Sequence, residues 1–331
     1  MVLRFNILQR YKKKVITQIC ANSPYGADIV KGWGMEKRGV IRAHLALIFC
    51  NMVWACDYPF YNLILGRYIS PLAMVTASLI VAAALSWIPA LWEKRERIAQ
   101  SDWGLIIVAA LLMGVVRKSM MMFGLSRTSP IDGSIIATIV PLIVLVVSLL
   151  ARVDRLTWGK AIGLILGCTG AVAVVVTSDS PSHEKSELWG NLMMICSGCV
   201  TALYMVLFRG VVSKYRVTTV LRAIYTISAA VVLPFGIDSV IESDYVAMDA
   251  KLWAAAAFVL VVPTYLPNLL LNYSLRFLKP TMSSTYTYIQ PVLAVALSVA
   301  MGLDHLHLDT VLFALLLFVG VGMVIRSYSR P

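Results

Sequence analysis

GLSRTSPIDGSIIATIVPLIVLVVSLLARVD, residues 124–154, has a counterpart in SLRFLKPTMSSTYTYIQPVLAVALSVAMGLD, residues 274–304. Laid on one another without a gap, the two bring Leu125 onto Leu275, Pro130 onto Pro280, Ser134 onto Ser284, Ile139 onto Ile289, Pro141 onto Pro291, Ser148 onto Ser298 and Asp154 onto Asp304. The register continues through Leu156 with Leu306, Gly170 with Gly320 and Val174 with Val324. Prolines, a glycine and an aspartate in one register are hard to ascribe to shared apolar composition, so the chain reads as an internal duplication.

Outward from this stretch the chain is a succession of apolar runs of roughly 20 residues, the length a helix needs to cross about 30 Å of hydrocarbon. A hydrophobic fraction of 59%, a charged fraction of 14% and a mean hydropathy of +0.80 exclude an ordinary soluble domain. The reading is an all-α polytopic membrane protein with ten transmembrane helices, at about 42–65, 70–92, 102–126, 130–151, 157–177, 188–211, 217–237, 251–276, 280–302 and 309–327. Residues 1–41 form a basic cytoplasmic tail expected to be disordered, 42–177 a first repeat and 188–327 a second. Met35, just ahead of Glu36, Lys37 and Arg38, is a candidate alternative initiator, and no cleaved signal peptide is expected. Five spans per repeat is an odd number, so the second repeat enters the membrane from the opposite side, giving two inverted five-helix repeats.

The net charge of +12 falls in the tail and the short connections, not on one folded face, which argues for membrane orientation over nucleic acid. Alternate connections hold Lys94, Arg95 and Arg97, then Arg152, Arg155 and Lys160, then Arg209, Lys214, Arg216 and Arg222, then Arg276 and Lys279, and finally Arg326 and Arg330. By the positive-inside rule that face, and both termini, are cytoplasmic, with the cell membrane the expected location.

The segment from Phe123 to Val176, with GLSRTSP, Pro141, Asp154 and a glycine-bearing helix, resembles one EamA unit. The segment from Tyr273 to Ile325, with YSLRFLKP, Pro291, Asp304 and Gly320, resembles a second. Two such units in ten spans resemble the drug/metabolite transporter superfamily, whose members mostly move metabolites, amino acids or drugs. The likeness implies the fold and the function class, and leaves the substrate open because the matched positions are caps, kinks and packing glycines. Asp154 and Asp304 depart from the glutamate usual in that family.

Charge inside a bilayer costs about 2.5 to 3.5 kcal/mol per residue at a helix centre, so each instance needs a reason. Asp57 on the first span and Arg117 on the third sit at matching depth, roughly 4 to 5 Å outside the midplane. They are expected to face a central cavity, either as an ion pair or as holders of the two ends of a zwitterionic substrate. Lys118, adjacent and about 100° around the helix, ranks lower as a site residue: it either snorkels or, matching Asn268 in the repeat register, presents a polar group at an equivalent position. Asn268 and Asn272, four apart, share a face near the kinking prolines Pro263 and Pro267, and serve either cavity lining or interhelical hydrogen bonding. Tyr286 and Gln290 form a candidate lining pair at the same spacing. Trp54 and Tyr204 coincide in the repeat register and are candidate stacking partners for a ring or a cation, or ordinary packing. Asp132 reads as a helix-cap acid behind Ser129 and Pro130, and Cys196 with Cys199 as two small residues on one face. Gly163, Gly167 and Gly170 make a close-packing stripe, within the chain or in a homodimer.

No HExxH accompanies His44, His183, His305 and His307, and no phosphate loop ending in GK[ST] occurs. Metal-dependent catalysis and ATP-driven pumping thus have no foothold, and neither metal nor cofactor is expected. A small-molecule carrier working by alternating access is the first reading, its solute an amino acid or related amphiphile. A multidrug or cation exporter is the alternative, with a membrane receptor or intramembrane enzyme behind it. Asp57 could carry a proton or stay ionised beside Arg117, and the sequence is silent between coupled transport and facilitated diffusion.

Overall fold

The computed structural model describes residues 26–128, 136–176, 188–293 and 308–329. Its elements are α1 (Gly26–Ile64), α2 (Pro71–Trp87), α3 (Gln100–Leu125), α4 (Val140–Leu150), α5 (Trp158–Val176), α6 (Leu188–Leu207), the short α7 (Arg209–Lys214), α8 (Val217–Ile241), α9 (Ala250–Phe277), α10 (Pro280–Thr285) and α11 (Leu308–Ser329). Among the described residues there is no β-sheet, only one isolated bridge from Leu65 to Ile69. Among the described residues, seven helices are long and apolar enough to cross a membrane: the Arg38–Asp57 part of α1, then α2, α3, α6, α8, α9 and α11. α4 is shorter, α10 passes through a 3-10 turn (Tyr286–Tyr288) into helix at 289–293, and α5 is a further apolar helix.

Local chemistry starts these helices where the sequence changes character. Ser70 caps α2 by accepting from Ala73 N at 3.2 Å, with Pro71 in the first turn where no amide donor is needed. Asp249 caps α9 through Leu252 N at 2.8 Å. Six of the eight tryptophans, Trp87, Trp92, Trp103, Trp158, Trp189 and Trp253, are exposed at or near helix ends, the placement of an interfacial aromatic belt.

Helices meet across the two halves of the chain: α1 lies on α9, α2 on α8, α3 on α6, α4 on α10 and α5 on α11. In lipid the tails are as apolar as the side chains, so close fit rather than water expulsion drives such contacts. At α5–α11 a Cβ on Gly320 would lie 2.5 Å from Gly167 N and 2.6 Å from Gly163 O, so the two backbones touch. The glycine stripe thus packs within the chain, and its homodimer use is blocked by α11.

Several boundaries differ from the sequence reading. α1 begins at Gly26 and not near 42, because once a helix is nucleated each further residue adds a hydrogen bond at little cost. The span expected at 188–211 breaks after Leu207, and α8 continues through Pro234 to Ile241. Asp132 and its cap, Asp304 and Ser298 lie outside the described residues.

Candidate functional site

A cavity of about 120 Å³ lies where α1, α3, α6, α8 and α9 converge. Of the residues singled out from the sequence, Asp57, Arg117, Trp54, Tyr204, Asn268, Asn272 and Gln290 all line it. Tyr286 does not. Its hydroxyl lies 2.5 Å from His44 Nδ1, against α1. The 3-10 turn at Tyr286–Tyr288 advances about 120° per residue where an α-helix advances about 100°, which defeats the four-residue spacing and puts Thr287 and Gln290 on the wall instead.

The charged groups come from α1 and α3. Asp57 is 2% exposed and its Oδ1 is buried with no hydrogen-bond partner. Arg117 Nε donates to Met113 O at 3.3 Å, and Nη1 approaches Met121 Sδ at 3.8 Å. Lys118 corrects the snorkelling expectation: it is 6% exposed, lines the cavity, and donates to the Tyr61 hydroxyl at 3.1 Å with its ammonium 5.3 Å from that ring's centre.

The cause lies just upstream. Ala110–Val116 is wound as a π-helix, and the extra residue per turn rotates everything after it relative to a straight α-helix. Gly114 in that segment admits α8: a Cβ there would sit 1.9 Å from Ser228 Oγ, which donates to Ala110 O at 2.9 Å and Ile224 O at 2.7 Å.

On α9, the prolines leave carbonyls without their usual helical donors. Val259 O, which Pro263 cannot reach with an amide, accepts from Thr264 Oγ1 at 2.8 Å. Thr264 O accepts from Asn268 Nδ2 at 2.9 Å and from the Tyr225 hydroxyl at 3.0 Å, and Asn272 Nδ2 donates to Asn268 O at 2.7 Å. Asn272 Oδ1 accepts from the Tyr204 hydroxyl at 2.7 Å, and Gln290 Nε2 donates to Asn51 Oδ1 at 2.8 Å. Thr264 and Tyr225, neither picked from the sequence, are part of this wall. The result is a small polar chamber that combines one acid and two bases with neutral hydrogen-bonding groups.

Among the described residues no three His, Cys, Asp or Glu side chains stand close enough to hold a metal, and Cys196 and Cys199 are free thiols. The arrangement can bind and orient a small polar solute inside the membrane.

An uncharacterized transporter of Archaeoglobus fulgidus is 22% identical over 261 residues, covering 79% of this chain and 91% of its own. The uncharacterized transporter YyaM of Bacillus subtilis is 24% identical over 262 residues, covering 77% and 84%. A solved crystal structure, titled only as that of a protein, superposes with a TM-score of 0.68 at 16% identity over 88% of this chain and 99% of that one, which establishes a shared fold. Residues 41–176 and 188–326 each match the EamA-like transporter family, and the chain belongs to that family of membrane transporters.

Proposed function

We propose that the protein is a secondary transporter that carries a small carboxylate-bearing metabolite, such as an amino acid, across the cell membrane by alternating access. In this reading it has ten spans in two inverted five-helix repeats, with both termini cytoplasmic. The observation that carries it is the meeting of Asp57, Arg117 and Lys118 in one membrane-embedded cavity bounded by helices of both halves. Two bases against one acid favour a carboxylate, anionic or zwitterionic, over a cationic drug. A chamber of about 120 Å³ is also well below the roughly 300–1,000 Å³ of drug-sized pockets.

The pattern of helix contacts supports the inverted repeat. Exchanging the halves turns α1–α9 into α6–α3 and returns α2–α8, α4–α10 and α5–α11 to themselves, as a pseudo-twofold axis in the membrane plane requires. Such symmetry lets either face close around a central site.

A thermal-shift screen of the purified protein against amino acids and related carboxylates should find a stabilising ligand, because binding to the folded state alone raises apparent stability. Uptake of that ligand into liposomes should then fall at least tenfold in Asp57→Asn and Arg117→Gln proteins. Normal uptake by both variants refutes the assignment. Repeating the assay with and without a proton gradient separates coupled transport from facilitated diffusion.

A further inference from the structure

A second crevice, of about 680 Å³, opens at the rim and shares no lining residue with the central cavity. Arg42 of α1, Arg276 in the last turn of α9, Arg216 at the N-cap of α8 and Glu93 just beyond α2 supply its charged groups. All four stand at or near ends of membrane-spanning helices. Its remaining wall is almost wholly apolar, with Leu45, Ala46, Leu269, Leu270 and Tyr273 prominent in it.

The charges are unequally engaged. Glu93, the only acid, already accepts from the Thr218 hydroxyl at 2.6 Å. Arg216 spends one nitrogen on Lys94 O at 3.3 Å. Arg42 and Arg276 are exposed and have no hydrogen bond or ion pair among the described residues. Guanidinium groups present a planar fork that fits phosphate oxygens two at a time.

Depth supplies the second half of the argument. Leu45 is one helical turn inward of Arg42, and Leu269 and Leu270 are roughly 9 to 10 Å inward of Arg276. The wall therefore turns from cationic to apolar over roughly 5 to 10 Å, a depth that crosses a headgroup layer of roughly 5 to 7 Å and reaches the edge of the hydrocarbon. Leu45, 60% exposed, opens the apolar part sideways to the lipid.

We infer that this crevice is a binding site for an anionic glycerophospholipid, its phosphate held by Arg42 and Arg276 and an acyl chain laid along Leu45, Leu269 and Leu270. A free anion would use the arginines and leave the apolar wall empty, while a zwitterionic lipid would bring a cation into an arginine cluster.

The test is thermal unfolding of the full chain in detergent, titrated with phosphatidylglycerol, phosphatidylcholine or inorganic phosphate. Phosphatidylglycerol should raise the midpoint in a saturable way, and the other two should not. Arg42→Gln with Arg276→Gln should weaken its apparent affinity about thirtyfold, a factor of about five per basic contact. Arg152→Gln with Arg155→Gln, exposed on the same rim, should leave it unchanged. Ala46→Trp, which keeps every arginine and places a bulky ring on the apolar wall where the acyl chain would lie, should also abolish the shift and guards against a folding artefact in the double variant. A shift produced equally by inorganic phosphate, or lost equally in both arginine pairs, or retained in both Ala46→Trp and Arg42→Gln/Arg276→Gln, overturns the proposal.

Discussion

Replacing Asp154 by asparagine should cost this protein about 2 to 3 kcal/mol, and the structure says why. The carboxylate, in the connection between α4 and α5, has a side chain 0% exposed. Its Oδ1 accepts from Lys160 Nζ at 2.7 Å, Lys279 Nζ at 3.1 Å and Arg155 N at 2.8 Å, and its Oδ2 from the Tyr328 hydroxyl. It thus ties α5 of the first half to the start of α10 and the end of α11 in the second. Burial alone would push the acid's pKa up, but these donors overcome it and hold the group at about 2, below its ordinary 3.8. That difference is worth about 2 kcal/mol, of which solvent at the rim leaves roughly 1 to 2.

Asparagine additionally strands Lys160, whose side chain is 5% exposed, although its bond to Arg155 O at 2.8 Å and its place over the Tyr328 ring at 4.2 Å remain. Lys279→Met removes only a side chain 44% exposed and should cost at most about 1 kcal/mol. In a thermal melt at one scan rate, Asp154→Asn should fall by about 5 °C and Lys279→Met by about 2 °C or less. Adding Lys160→Met to Asp154→Asn should recover at least half the loss, since the stranded cation is gone.

The pH dependence has a definite sign. The unfolded chain takes up this proton near 3.8 while the native group stays ionised to about 2, so the contribution is complete above about pH 5 and is lost as pH falls toward 2. Asp154→Asn should lack that acid-side decline. Equal losses in Asp154→Asn and Lys279→Met, or no recovery on adding Lys160→Met, would refute the reasoning.

Gly320→Ala should lower the melting midpoint by an amount corresponding to about 1 to 3 kcal/mol, because its Cβ meets only backbone of α5, whereas Gly322→Ala, with nothing within 4 Å, should be neutral. Gln290→Leu should impair solute uptake and leave Asn51 Oδ1 without its donor, while Tyr286→Phe, off the cavity wall, should transport at the normal rate; parallel liposome assays decide. Lys118→Met should reach the membrane yet carry solute at least tenfold more slowly, and an unchanged rate would place Lys118 outside the transport path. Tyr61→Phe, which removes the acceptor for Lys118 Nζ, should destabilise the fold by about 1 to 3 kcal/mol in the same melts.

The places where the sequence was readable and where it was not separate along one physical line. Depth in the membrane follows from counting residues at about 1.5 Å each, and a local over- or under-winding changes that sum little over a span. Asp57, Arg117, Trp54, Tyr204, Asn268 and Asn272 were grouped by depth, register and a four-residue spacing on an uninterrupted helix, and they meet around one cavity. Direction around the axis is fragile, because one residue too many in a turn displaces every later side chain by on the order of 100°. The π segment Ala110–Val116 lies just ahead of Arg117 and Lys118, and Lys118, ranked below Arg117 for its direction, lines the cavity with it. The 3-10 turn Tyr286–Tyr288 separates Tyr286 from Gln290. Neither irregularity is written in composition or hydropathy, since both are imposed by neighbours: Ser228 closing on Gly114, and Tyr288 reaching Leu164 O at 3.0 Å across the α5 contact. Tertiary packing thus re-aims the side chains of just those two segments, α3 and the chain after α10, that stand on the central cavity. A substitution that removed the Ser228 contact and let Ala110–Val116 relax to an ordinary α-helix, such as Ser228→Ala, should therefore change the direction of Lys118 around the axis with little change in its depth.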